Sequence, residues 1–322
     1  MNILITSAGK RVSLVKIFKS EAIKIDVNVK IFATDANPDL SAACQVADAA
    51  FKVPRVSDPN YVQILLDICI SNNVQLIIPT IDTELLILAE HKSIFEDAGA
   101  IPVISDRTFI NKCRDKRIIH DFFNENGIGV AKEFKKDAYH FPMFIKPSDG
   151  SRSEDTFLIK EEMAMRERFF EEERFMFLEY ISPELFDEYT CDLYYDRNGN
   201  LRCAVPRKRI EVRDGEVNKG LTERNMLVDY IREKMSHVAG ARGCLTVQFF
   251  KEKEGDRVVG IEVNPRFGGG YPLSYLAGAN FPKWIMEEYL LNKEITDNFN
   301  SWESNLLMLR YDNEILVHDF KH

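Results

Sequence analysis

The chain has 322 residues, 45% of them hydrophobic and 29% charged, with a net charge of −9. This is the composition of a soluble protein of two or three domains with ample core. The acidic balance, with no long basic block, excludes nucleic acid and anionic membrane as expected partners. The six Cys (Cys44, Cys69, Cys113, Cys191, Cys203, Cys244) are scattered and never in C-x-x-C spacing, which reads as reduced thiols in a cytoplasmic protein rather than a disulfide framework or a zinc site. The opening MNILITSAGK lacks the features of a signal peptide, and no apolar run reaches membrane-spanning length.

Residues 2–6 (NILIT) form a continuous apolar strand that ends in Ser7-Ala8-Gly9, and residues 11–19 follow with helical spacing at Val12, Val15 and Phe18. Strands are expected at 29–34, 76–79 and 101–104, and helices at 61–72 and 85–95. Alternating helices and buried-looking strands make residues 1–105 a Rossmann-like, doubly wound parallel sheet. It lacks G-x-G-x-x-G, so a dinucleotide is not indicated. Ligands of such sheets bind beyond the carboxyl ends of the strands. Those ends carry Arg11 and the polar loop Thr80-Ile81-Asp82-Thr83-Glu84, so Arg11, Thr80, Asp82 and Glu84 are candidate substrate contacts; helix capping and turn formation are the structural alternative.

Asp106 is placed to cap a helix, and a second helix over 115–126 stops at Gly127 with Lys116 in its first turn. A cation there opposes the helix dipole, so it is either solvated or beside an anion. Residues 141–147 (FPMFIKP) read as a strand with Lys146 near its end. The small polar loop 148–153 (SDGSRS), Ser151 among it, has the make-up of a loop that wraps phosphate with backbone N–H groups, though an ordinary turn has it too. A charged helix is expected over 161–173, strands over 175–181 and 188–195, a turn at Asn198-Gly199, and a returning strand at 201–205. The run Arg207-Lys208-Arg209 either reaches the functional site or protects a solvated strand edge. A helix is expected over 222–238, helices over 271–277 and 282–291, and an amphipathic tail.

The densest chemistry lies at 244–270. LTVQFF and VVGIEVN flank the polar turn KEKEGDR, which describes an antiparallel hairpin. Side chains alternate in a strand, so Glu262 and Asn264 share a face, with Gln248 roughly opposite Glu262 and Arg266 just beyond. A carboxylate beside amides suits Mg²⁺, and an adjacent Arg suits phosphate. An edge hairpin with a wet face is the alternative; against it stand the run Asn-Pro-Arg-Phe-Gly-Gly-Gly and the apolar flanks of Glu262.

The order Lys116, Lys146-Pro147, a small-residue loop, Leu178-Glu179-Tyr180-Ile181, Glu188-Tyr189-Thr190, Gln248 and Glu262-Val263-Asn264-Pro265-Arg266 resembles the ATP-grasp superfamily, and within it the carbamoyl-phosphate-synthase-like branch. The resemblance covers almost the whole chain. It implies a Rossmann-like domain over 1–105 followed by an ATP-grasp domain over 106–322, two α+β subdomains clasping ATP, with the lid over about 131–179. It further implies that Lys116 and Lys146 contact ATP phosphates, that Glu179 with the backbone of Tyr180 and Ile181 holds the adenine, and that Glu188 takes the ribose. Ser151 and Arg209 join the nucleotide contacts. Gln248, Glu262 and Asn264 would hold Mg²⁺, with Mn²⁺ as a substitute, and Arg266 would stabilise the transferring phosphoryl group beside Lys146 and Glu262. The loop after Lys146-Pro147 is poorer in glycine than is usual in the family, with Gly150 alone; the expectation is that either Arg152 substitutes as a phosphate contact or the lid closes differently. The implied activity is that of a carboxylate-amine ligase: ATP phosphorylates a carboxylate, and an amine or other nucleophile captures the acyl phosphate. The alternatives are bicarbonate and carboxyphosphate chemistry, or a non-catalytic ATP-binding regulator. The expected partners are small molecules and, as is common in this family, a second copy of the chain in a homodimer.

Overall fold

The computed structural model describes all residues except 150–154, 214 and 321–322. The first five strands, β1 (Asn2–Thr6), β2 (Lys30–Asp35), β3 (Ala49–Lys52), β4 (Val74–Pro79) and β5 (Ile101–Pro102), form a parallel sheet of order β3-β2-β1-β4-β5. Its helices are α1 (Val12–Lys24), α2 (Ala42–Val46), α3 (Tyr61–Ser71), α4 (Asp82–Glu90) and α5 (Lys92–Asp97). Alternation along β1 divides the cores. Leu4 packs with Phe32, Leu65, Ile77 and Leu88 on the outer face, whereas Ile3 and Ile5 join Phe18 and Ile78 in a core that continues into the rest of the chain. The sheet is therefore doubly wound, as the buried strand runs require.

Two capped helices lead onward. The Asp106 carboxylate accepts from Phe109 N at 2.8 Å and opens α6 (Arg107–Arg114); the Asp115 carboxylate accepts from Arg117 N at 2.7 Å and opens α7 (Lys116–Glu125). A four-stranded antiparallel sheet follows, with β6 (Glu133–Phe134), β7 (Met143–Pro147), β8 (Phe157–Ile159) and β9 (Phe175–Glu179) in the order β6-β9-β7-β8, and with the short helix α8 (Glu167–Glu171). The largest sheet comprises β10 (Phe186–Tyr195), β11 (Leu201–Arg213), β12 (Glu216–Thr222), β13 (Gly243–Glu252), β14 (Val258–Asn264) and β15 (Leu307–Leu309), ordered β14-β13-β10-β11-β12-β15; α9 (Leu227–Lys234), α10 (Tyr271–Leu276) and α11 (Phe281–Tyr289) pack around it. The β13–β14 hairpin is held close to α7. A Cβ on Gly260 would lie 2.6 Å from the Phe123 ring, so only glycine lets the strand approach this helix.

Three expectations are corrected. The single charged helix over 161–173 is replaced by a 3₁₀ turn at Glu162–Ala164 and the five-residue α8. Phe169 is fully buried against Phe157 and Phe175, and Glu171-Glu172-Glu173 would set three negative charges at a helix C-terminus, which the dipole disfavours. Residues 216–222 pair with β11 and β15 as a strand, so the helix expected from 222 is confined to α9. The basic run 207–209 is no edge, because β11 lies between β10 and β12. Among the described residues, no helix is long and apolar enough to cross a membrane.

Candidate active site

Gln248 lies opposite Glu262, and Thr246 opposite Asn264, in the β13–β14 register. The geometry follows from strand alternation on both sides of a polar turn. Glu262 Oε1 accepts from Gln248 Nε2 at 2.9 Å and from Asn264 Nδ2 at 2.8 Å. Its second oxygen has no hydrogen-bond partner among the described residues. A half-turn of either amide presents an oxygen where the nitrogen stands, so this face supplies one carboxylate and two neutral oxygens. Such a donor set fits a hard cation that keeps waters and borrows phosphate oxygens. No group of three or more His, Cys, Asp or Glu side chains able to hold a metal by themselves occurs among the described residues.

Facing this site are two lysines. Lys146, near the end of β7, is 8% exposed. Burial pulls its ammonium down to about 8; neighbouring Glu262 opposes the shift and Lys116 adds to it. Lys116 opens α7, and its backbone N–H donates to Ser148 O at 2.8 Å, tying the helix start to the chain leaving β7. One helical turn on, His120 is buried, its Nε2 has no partner among the described residues, and burial with the two lysines holds its pKa at about 4. Sequence reading passed over His120. The available signal was its i+4 spacing from Lys116, which carries meaning only once α7 is known to turn that face inward.

Glu179 ends β9. Its carboxylate forms a two-point ion pair with Arg257, both distances 2.8 Å, and accepts from Lys132 N at 3.2 Å, which holds it below the usual carboxylate range. The side chain is thus engaged, while the backbone of Tyr180 and Ile181 makes no hydrogen bond among the described residues. Glu188 pairs with Arg209 at 3.0 Å; burial raises its pKa and Arg209 opposes the rise. Ser151, Gly150 and Arg152 lie outside the described residues.

Arg266 reaches across to the first sheet's loops. Its Nη2 donates to Asp82 Oδ2 at 2.5 Å, its Nη1 to Phe267 O at 3.1 Å, and its Nε is buried without a partner among the described residues. Arg11 stands beside Glu216, 3.5 Å away. Asp82 and Arg11 therefore meet the rest of the candidate site, whereas Thr80 and Glu84 do not. The Thr80 hydroxyl donates to Thr6 O and Ser7 O at 3.1 and 2.8 Å, closing the ends of β1 and β4. Glu84 is fully buried and accepts from Tyr61, and burial raises its pKa. These two expected substrate contacts are corrected to structural roles. An open cleft of about 760 Å³ lies at the carboxyl ends of β1, β2 and β4, lined by Ser7, Asp35, Ile81 and Thr83 among others, and none of the hairpin residues lines it.

The class follows from this arrangement: a parallel-sheet domain, a small lid-like sheet, and a large antiparallel sheet carrying an oxygen-donor hairpin opposite two lysines. Residues 3–104 match the family model of the PylC-like N-terminal domain, and residues 171–309 match that of the ATP-grasp in the biosynthetic pathway with Ter operon. The chain has an ATP-grasp fold, preceded by a domain that matches the PylC-like N-terminal model. Among solved structures, it is similar to Rhizobium etli pyruvate carboxylase (14% identity, TM-score 0.71), covering 95% of this chain but only 30% of that one. The biotin carboxylase domain dimer of Hydrogenobacter thermophilus 2-oxoglutarate carboxylase aligns at 13% identity and TM-score 0.71, over 95% of this chain and 73% of that one. Staphylococcus aureus N5-carboxyaminoimidazole synthetase with ADP aligns at 16% identity and TM-score 0.71, over 92% and 78%. No curated protein sequence matches the chain.

Proposed function

We propose that the chain is an ATP- and Mg²⁺-dependent ligase that converts a carboxylate to its acyl phosphate and passes the acyl group to an amine or another nucleophile. The observation that carries this reading is the convergence of Glu262, Gln248 and Asn264 with Lys146, with Arg266 two residues beyond Asn264. A carboxylate is a poor electrophile, and phosphorylation supplies the missing leaving group. Glu262, with the amide oxygens of Gln248 and Asn264 once those amides turn, would hold Mg²⁺, which would neutralise phosphate charge. Lys116 and Lys146 bind phosphate oxygens from the lid side, and the phosphate offsets the desolvation that lowers the Lys146 pKa. Arg266, aimed by Asp82, neutralises charge on the transferring group. The open backbone of Tyr180 and Ile181 supplies an acceptor and a donor for adenine, and the Glu188–Arg209 pair stands by for the ribose hydroxyls.

A second reading takes bicarbonate as the carboxylate. It is favoured by the likeness to the Hydrogenobacter thermophilus domain, whose structure contains MgADP and bicarbonate. That neighbour is a dimer, which supports a homodimer here. Six free cysteines, five of them buried, support a reducing, cytoplasmic setting.

The test is ADP release with Mg²⁺ and ATP across a panel of carboxylates crossed with amines, for the wild type and Glu262→Ala. Stimulation by one carboxylate–amine pair, lost in Glu262→Ala, is the expected result. Stimulation by bicarbonate alone moves the assignment to the second reading, and wild-type turnover in Glu262→Ala removes the metal-site assignment.

A further inference from the structure

We propose that the seam between the first sheet and the glycine loop 268–270 is a binding site for an anionic group on the substrate, separate from the carboxylate that is activated. The inference rests on the ligase reading above and names the substrate class: a molecule carrying an additional carboxylate or phosphate ester.

The site is built around Arg207. It is 1% exposed, and Asp192 fixes it by two bonds, from Nε at 2.7 Å and from Nη2 at 3.1 Å. Asp192 is itself saturated, accepting from Ser274 at 2.6 Å and from Thr246 at 3.4 Å. The third nitrogen, Nη1, is buried with no partner among the described residues. It points at the glycine loop: a Cβ on Gly270 would lie 2.3 Å from it. On the neighbouring residue, a Cβ on Gly269 would lie 2.7 Å from Arg11 Nη1 and 2.5 Å from Glu216 Cδ. Consecutive Cα atoms are about 3.8 Å apart, so the two guanidinium groups meet adjacent residues of one loop. Glycine at these positions lets backbone and guanidinium groups come close enough to share a ligand.

Charge points the same way. Glu216 is approached by Arg11, by Arg310 at 3.1 Å and by Lys10 at 3.6 Å, and Asp82 by Arg266. Five cations, Lys10, Arg11, Arg207, Arg266 and Arg310, thus converge on three carboxylates, Asp82, Asp192 and Glu216. The excess positive charge sits at a half-buried seam of a chain whose net charge is −9. Burial and the neighbouring arginines lower the pKa of Arg11, the mark of a cation short of counter-charge. Leaving a buried donor such as Nη1 unmatched is costly, and a bound anion satisfies it and balances the charge together.

The experiment measures dissociation constants of four probes by calorimetry on the full chain, with and without Mg²⁺ and a non-hydrolysable ATP analogue. The probes are inorganic phosphate, glycerol 3-phosphate, glutarate and butyrate, tested on wild type, Arg11→Gln and Arg310→Gln. The dianions are expected to bind at least about tenfold tighter than butyrate, a preference that Arg11→Gln abolishes and Arg310→Gln, on the rim, halves or so, with nucleotide affinity kept within about twofold. Comparing glutarate with glycerol 3-phosphate decides between a carboxylate and a phosphate ester. Equal binding of butyrate and the dianions, a preference that survives Arg11→Gln, or no binding of any probe overturns the inference. Loss of nucleotide binding alone, with the anion preference intact, overturns the ligase reading instead.

Discussion

Lys146→Met is expected to make the ligand-free protein more stable and to abolish its response to nucleotide. Burial brings the Lys146 ammonium from an ordinary 10.5 down to about 8. In the unfolded chain the same group stays protonated up to 10.5, so below pH 8 the folded state carries a buried cation at a cost of about 3 kcal/mol. Methionine fills a similar volume without charge and relieves about 1 to 3 kcal/mol of that cost, a gain of several degrees in Tm for a chain of this size. The sign is set by proton counts. Between pH 8 and 10.5 the unfolded state holds the extra proton, so wild-type stability rises with pH and the gap between the two proteins closes. Thermal melts at pH 7, 8.5 and 10, with and without Mg²⁺ and an ATP analogue, read all of this. A variant less stable than wild type at pH 7, or a gap that ignores pH, would refute the picture of Lys146 as a cation held ready for phosphate.

Asp82→Ala, which releases Arg266 from its 2.5 Å tether, is expected to lower kcat at least about tenfold while leaving KM for ATP within about twofold; steady-state kinetics against the substrate pair found in the ADP-release screen measures it, and a change in KM alone would deny Arg266 its role in the transition state. Glu84→Gln is expected to raise stability at neutral pH, because the buried carboxyl has a raised pKa and its ionisation costs the fold stability as pH climbs past the ordinary 4.5. Denaturant titrations from pH 4 to 8 should show the difference vanishing at the acidic end, and a difference constant in pH would mean the effect is one of packing.

The hairpin face was legible because two-residue alternation and a polar turn fix which side chains meet, without help from the rest of the fold. Gln248 stands opposite Glu262 for that reason. The polar loop 80–84 was harder to read. Its density of polar groups announced hydrogen bonding, but whether the partner is a ligand or the loop's own domain depends on the direction each side chain takes. Thr80 and Glu84 turn inward to Ser7 and Tyr61, and only Asp82 turns out to Arg266, 184 residues away. The same limit hid β12. Its glycine and polar residues lack a strand signature, and the segment extends because β11 and β15 flank it, a tertiary decision that overrides local preference.

The order in which the largest sheet is assembled has a consequence during synthesis. β15 supplies the last strand, pairing Leu307, Met308 and Leu309 with Leu221, Gly220 and Lys219 of β12. At ribosomal speeds of about 5–20 residues per second, the outer edge of β12 waits on the order of 10 s for its cover. An open edge is a template for pairing with a neighbouring nascent chain. Lys219, ion-paired with Glu211 at 2.6 Å on the adjoining strand, places charge on that edge through the interval. Lys219 and Glu211 thus guard the growing chain against its copies on the polysome.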